Sequence, residues 1–167
     1  VATFQPVASA VAVMRALFPE ARRVGLLWNP AEANSEACTL KAREAAARYG
    51  FQLVERTVSV TSDVQDALAA LVNDDIDLFF TSGDNTVILA FATVADTLKR
   101  RRIPYFTNDP TDVDRGFFFS VGADYYTVGV ETAKMAARVI AGEDPKNIPI
   151  RNYAPQKIGI NLELADL

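Results

Sequence analysis

Asp77-Leu78-Phe79-Phe80-Thr81-Ser82-Gly83-Asp84-Asn85-Thr86-Val87 decides how the chain folds. Its first half is a short apolar run, the pattern of a strand buried on both faces. The sequence then turns polar within one residue, from Thr81 to Thr86. Beyond it, Val87, Phe91, Val94 and Leu98 recur at spacings of three and four, which predicts a helix with one apolar face. A strand that ends in small polar residues and runs into a capped helix builds the binding rim of open α/β sheets.

The same unit repeats on both sides. Upstream, residues 6–18 read as a helix with Val11, Met14, Leu17 and Phe18 on one face, and residues 24–28 as a buried strand. Asn29-Pro30 and Asn34-Ser35 are both helix-start signals, and the helix that follows runs to Tyr49, where Gly50 stops it. Residues 51–58 alternate as a strand, and Ser62-Asp63-Val64-Gln65 has the spacing of a capping box opening a helix through Val72. Downstream, the helix after Thr86 ends in basic residues 99–102, which complement its carbonyl end. Strands are expected at residues 103–107 and 117–121, a helix from Tyr125 to Ile140, a loop over residues 144–155 and a last short strand at residues 157–160. This alternation predicts an α/β fold: a doubly wound, mostly parallel five-stranded sheet in the flavodoxin-like order 2-1-3-4-5.

Composition narrows the function. The chain has 167 residues, half of them apolar, within the size range of one domain. A net charge of -4 offers no basic footprint for nucleic acid, so no nucleic-acid partner is expected. No run of eighteen apolar residues exists. The single cysteine, Cys38, excludes an internal disulfide; inside a helix and without a histidine partner, it reads as packing. Histidine is absent, which removes the commonest general base and metal ligand. No catalytic or metal-binding residue is therefore assigned, and an enzyme is the disfavoured reading. Neither GxGxxG nor GxxxxGK[ST] occurs, so no cofactor is expected. A phosphate-accepting receiver would want an acidic pair after the first strand and a lysine after the fifth, where this chain has Trp28-Asn29-Pro30 and Ser120-Val121-Gly122. The chain begins without methionine or a signal peptide, as expected of a fragment or a processed product.

In a parallel sheet the strand ends open on one edge. Three turns there carry small polar groups, at residues 29–35, 81–86 and 107–109. Helix amino termini point to the same edge with unpaired N–H groups, which suit a carboxylate or phosphate. Asp84 and Asp109 add negative charge. Donors and carboxylates together suit a zwitterion, such as a free amino acid. The candidate ligand-binding residues are Asn34, Ser35, Asp84, Asn85, Thr86, Asn108 and Asp109, with Trp28 placed to stack on an aromatic ligand. The plainer reading is that the polar residues are helix caps and Trp28 is core.

Four stretches together resemble one family. They are residues 23–35, with Trp28-Asn29-Pro30-Ala31-Glu32-Ala33-Asn34-Ser35; Gly83-Asp84-Asn85-Thr86; Ile103-Pro104-Tyr105-Phe106; and Val121-Gly122-Ala123-Asp124-Tyr125-Tyr126 with Gly129. Over residues 5–165 the chain is similar to the substrate-binding proteins of ABC transporters, in the branch that includes tryptophan- and tyrosine-binding members. Trp28 departs from the tyrosine common at that place. The resemblance implies a type I periplasmic-binding-protein fold: two α/β lobes, a hinge of crossing strands and a ligand between them. Residues 1–6 would end a hinge crossing, 7–122 form the second ligand-binding lobe, 123–150 hold a helix that packs on a missing N-terminal lobe, and 151–167 return. The implied function is the solute-binding component of an ABC importer. It would sit in the periplasm or on the extracellular face of the membrane, bind an amino acid-like small molecule and deliver it to an ABC permease. The alternative is the effector-sensing core of a transcription regulator with the same fold. Without the first lobe, the apolar face formed by Tyr126, Val130, Ala133, Ala137 and Ile140 needs a cover. Folding back on its own lobe is the favoured expectation, and packing on a second copy, as a homodimer, the other.

Overall fold

The computed structural model describes residues 2–165; Val1 of the expected crossing segment and residues 166–167 of the expected return segment lie outside the described residues. Among the described residues six strands form one sheet: β1 (Arg23–Trp28), β2 (Gln52–Thr57), β3 (Leu78–Thr81), β4 (Tyr105–Thr107), β5 (Phe119–Ala123) and β6 (Gln156–Ile160). Their order is β2-β1-β3-β4-β5-β6. The first five are parallel, in the expected order, and β6 adds to the edge antiparallel to β5.

Side-chain parity on the strands divides the core into two layers. On β3, Leu78 and Phe80 point into the layer of α1 (Val7–Leu17) and α2 (Ala33–Tyr49), where they meet Val11, Met14 and Ala42. Phe79 points the other way, into the layer of α3 (Val64–Asn73), α4 (Asn85–Ile88) and α5 (Phe91–Arg101), beside Leu68, Val94 and Leu98. Helices therefore cover both faces of the parallel strands, and β3, buried along its whole length, is the centre of the fold.

Several boundaries differ from expectation, each for a local reason. Asn29-Pro30 is a turn and not the helix start: the Asn29 side-chain oxygen accepts from Ala31 N, and α2 begins only after Glu32. The chain enters α3 through a 3-10 turn, so the carboxylate of Asp63, and not the Ser62–Gln65 pair, reaches the free N–H groups of Ser59 and Val60. The helix after Asp84 is broken at Leu89–Ala90 into α4 and α5, yet Val87, Phe91, Val94 and Leu98 are all buried, because a break of one turn keeps their face in register. β5 starts two residues late, because Phe117 anchors the preceding turn against Phe91 and Tyr105.

The larger correction concerns α6 (Tyr125–Ile140). It does not fold back on the sheet, and no residue along it is buried. Tyr126 is 82% exposed and Ile140 87%. A helix packs back on a parallel sheet when its crossover must reach another parallel strand. The strand after α6 is antiparallel and pairs directly with β5, so nothing draws the helix onto the sheet face.

Candidate functional site: a cleft at the strand ends

The turns after β1 and β3 are stitched into one polar network. Asp84 is buried and caps α4 by accepting from Val87 N at 2.7 Å; its other oxygen accepts from Asn29 N and from the Ser35 hydroxyl, both at 2.6 Å. Glu32 reaches across to accept from Asn85 N (2.8 Å), Asn85 Nδ2 (2.7 Å), Thr86 N (3.0 Å) and Thr86 Oγ1 (2.6 Å). Burial pushes the Glu32 carboxyl up, but these four bonds outweigh it and hold it below the usual range. Asn29 Nδ2 donates to Thr86 Oγ1, and Asn34 Nδ2 donates to the Gly83 carbonyl. Gly83 has φ 61°, and a Cβ there would lie 2.9 Å from Cys38 Sγ, so glycine is needed where the turn passes α2.

The turn after β4 is built separately. Thr107 donates to the fully buried carboxylate of Asp112 at 2.7 Å and accepts from Asp109 N at 3.3 Å. Burial pushes Asp112 up to about 6; the Thr107 bond and Arg115 oppose that shift, and the charge of Asp109 adds to it. One Asp109 oxygen accepts from Thr111 N and Thr111 Oγ1. Asn108 Nδ2 donates to the Val121 carbonyl. The turn lies so close to β5 that a Cβ on Gly122 would sit 2.1 Å from the Asn108 carbonyl oxygen.

Three distant segments meet beside these turns. Ala2 pairs with the stretch around Asn152 through Ala2 N to Arg151 O and Tyr153 N to Ala2 O. Asp124 N donates to the Pro155 carbonyl, and Gln5 Nε2 donates to the Tyr125 hydroxyl at 2.7 Å. The start of the chain, the exit from β5 and the return segment thus cross at one end of the sheet.

Together these elements enclose an open cleft of about 370 Å³. Its wall takes Asn34 and Cys38 from α2, residues 81–85 after β3, Ile88, Phe91, residues 107–109 after β4, residues 3–5 and Tyr125. Asn34, Asp84, Asn85, Asn108 and Asp109 converge there as expected from sequence. Ser35 and Thr86 stand behind the wall, in the network that holds it. Trp28 is not on the wall: it packs against the α1/α2 core, with the Arg43 guanidinium 5.4 Å from its ring centre. Gln5, Cys38, Ser82 and Tyr125 were not among the candidates. Cys38 carried a signal, one helical turn after Asn34, Ser82 sits inside the turn already singled out, and Tyr125 lies in one of the stretches that carry the resemblance; Gln5 is brought in by the crossing and carried none.

The donors expected at the starts of α4 and α6 are largely taken. The first N–H groups of α4 go to Glu32 and Asp84, and those of α6 to Asp124. Oxygen acceptors are in surplus instead. Among the described residues, Ser82 Oγ, Asn108 Oδ1 and Gln5 Oε1, all on wall residues, are buried without a hydrogen-bond partner.

An open, mostly parallel sheet with a cleft at its strand ends and three chain crossings beside it is a periplasmic-binding-protein domain in form. The chain belongs to the ABC transporter substrate binding protein family, which it matches over residues 1–166. It is similar to the tyrosine-binding protein of Clostridioides difficile strain R20291, 26% identical over 149 residues, which cover 89% of this chain and 43% of that protein. Its structure is similar to that of a conserved domain protein from Vibrio cholerae O1 biovar eltor, with a TM-score of 0.87 and 29% identity, covering 98% of this chain and 55% of the other. It is also similar to an ABC domain from Streptococcus pneumonia in complex with L-Trp, with a TM-score of 0.84 and 25% identity, covering 97% of this chain and 56% of the other. The chain thus spans about half the length of these relatives. None of these likenesses supports the transcription-regulator alternative.

Proposed function

We propose that this chain supplies one wall of an amino acid receptor for an ABC importer, the ligand being closed between this lobe and an N-terminal lobe. The observation that carries the reading is the cleft itself, where polar groups from three strand-end turns meet the chain crossings. The aromatic character of the ligand is inferred from the relatives, one described as tyrosine-binding and one holding L-Trp. In this reading residues 2–6, 123–125 and 151–156 are hinge crossings, residues 7–122 the lobe, and α6 packs on the other lobe. The protein works outside the cytoplasmic membrane, hands its ligand to a permease and makes or breaks no covalent bond. Asn34, Asn85, Asn108 and Asp109 face the ligand, while Asp84, Ser35 and Thr86 hold the wall in shape.

Thermal-shift screening of the two-lobed protein against the free amino acids, with sugars as controls, tests the proposal. L-tyrosine or L-tryptophan at a hundred times its dissociation constant is expected to stabilise the protein by about 2.7 kcal/mol. A screen in which no amino acid raises the melting temperature refutes it.

A further inference from the structure

We infer that this lobe takes the ammonium end of the ligand, with Asp109 as its counter-charge, and that the ligand's carboxylate is recognised from across the cleft. The inference rests on the proposed reading that the ligand is an amino acid; it adds which half of the zwitterion belongs to this chain.

The charges on the wall are of one sign. Among the described residues, Asp84 and Asp109 line the cleft and no lysine or arginine does. Two of the helix ends that would otherwise attract a carboxylate are already complemented. Glu32 and Asp84 occupy the start of α4, and Asp124 the start of α6. The longer α2 has no side-chain cap, but it opens beside two acids, Glu32 at its N-cap and Glu36 in its first turn, whose charge opposes a carboxylate. A ligand carboxylate placed here would lie among acids, with no cation on the described wall to balance it.

The two aspartates differ in what they have left to offer. Both oxygens of Asp84 are engaged by buried donors. Asp109 is half-buried; Thr111 takes one of its oxygens, and among the described residues no hydrogen bond takes the other. Independent support comes from the unpartnered acceptors. Asn108 is 2% exposed and Ser82 7%, and each has a side-chain oxygen without a partner. Donation from Nδ2 to Val121 fixes the Asn108 amide and leaves its oxygen as the spare atom. Thr81 and Thr107 are paired across β3 and β4, so Ser82 and Asn108 follow side by side where the two strands leave the sheet. An ammonium group has three donors and no acceptor. A carboxylate oxygen, an amide oxygen and a hydroxyl on neighbouring turns match that demand.

The test uses the two-lobed protein and three probes: L-tyrosine, tyramine, which lacks the carboxylate, and 3-(4-hydroxyphenyl)propanoate, which lacks the ammonium. Calorimetric titration compares the wild type with Asp109→Asn, which keeps the oxygen that Thr111 uses. Affinity for L-tyrosine and tyramine is expected to fall roughly tenfold to a hundredfold, the range for a hydrogen bond to a charged group, with the propanoate changed by less than about twofold. Ser82→Ala, which removes a hydroxyl whose one interaction among the described residues is with the Cys38 thiol, gives a second reading: a smaller loss, again confined to the two amines. An equal loss for all three probes, or undiminished L-tyrosine affinity in Asp109→Asn, overturns the inference. A wild type that binds no amino acid overturns instead the reading on which it rests.

Discussion

α5 and α6 are a matched pair with opposite fates. Each begins near the cleft edge of the sheet, and each carries apolar residues at helical spacing. α5 buries Phe91, Val94, Ala95 and Leu98 against the sheet, whereas α6 buries nothing. The difference lies in the strand that comes next. After α5 the chain must reach β4, a parallel neighbour, and the crossover lays the helix on the sheet. After α6 it reaches β6, an antiparallel neighbour, and a long excursion away from the sheet is free to form. Amphipathic spacing says that a face is made to be covered; topology says by what.

The largest effect expected from breaking this comparison is at the start of the α4–α5 layer. Asp84→Ala strands two buried donors, Val87 N and the Ser35 hydroxyl, and leaves Asn29 N only its longer bond to Ser35 Oγ at 3.2 Å. At about 1–3 kcal/mol for each unsatisfied buried group, a loss of about 4 kcal/mol is expected in urea denaturation. Asp124 also caps a helix, α6, but on the exposed side of the molecule. Asp124→Ala is expected to cost distinctly less, and equal losses would show that the Asp84 network is no more than a cap.

Within the covered helix, Leu98→Ala removes a fully buried side chain and is expected to cost about 2–5 kcal/mol by the same measurement. Asp112 tests the layer's other end through pH. Its folded-state pKa is raised to about 6, above the ordinary 3.8, so between these values the folded chain holds more proton than the unfolded one. Stability from this group is therefore full below about pH 4 and declines as pH rises toward 6. Asp112→Asn removes that decline. Its melting temperature relative to the wild type is expected to rise between pH 4 and pH 7, by the equivalent of about 2 kcal/mol. Glu32 and Glu143, held below the usual range by their partners, lose stability in the opposite direction as pH falls, and the difference between the two proteins cancels them. A difference that stays flat over this window would place Asp112 in contact with water.

The sheet was legible because its signals are local. Leu78-Phe79-Phe80 followed at once by Thr81-Ser82-Gly83 marks a central strand and its rim, and alternation of such units leaves few orders for the sheet. Trp28 was legible in principle and misplaced. On β1 it shares parity with Leu26, which faces the α1/α2 layer, so a side chain at 28 turns to that layer and not to the edge. The role of Asp84 was not legible: a cap and a ligand partner look alike until Ser35, 49 residues away, is found on the same carboxylate. Gln5 and Tyr125 are further apart still, and only the crossing of the chain brings them to the wall.

The smallest expected effect sharpens the comparison most. Val130 and Ile140 on α6 are 41% and 87% exposed. Truncating a side chain that is already in water gives up little burial, so Val130→Ala and Ile140→Ala are each expected to change the stability of this chain by no more than about 0.5 kcal/mol. Under a second lobe the same side chains would lose their water, and burying each is worth about 1.5–3 kcal/mol. The two substitutions, measured in this chain and in the two-lobed protein proposed above, therefore read out the cover directly: negligible in the first, on the order of a core truncation in the second. If Ile140→Ala costs as much in this chain as Leu98→Ala, the face is already covered. Sedimentation over a range of concentrations then separates the causes. A cost that disappears on dilution, together with the dimer, assigns the cover to a second copy, and a cost that persists in the monomer returns α6 to its own sheet.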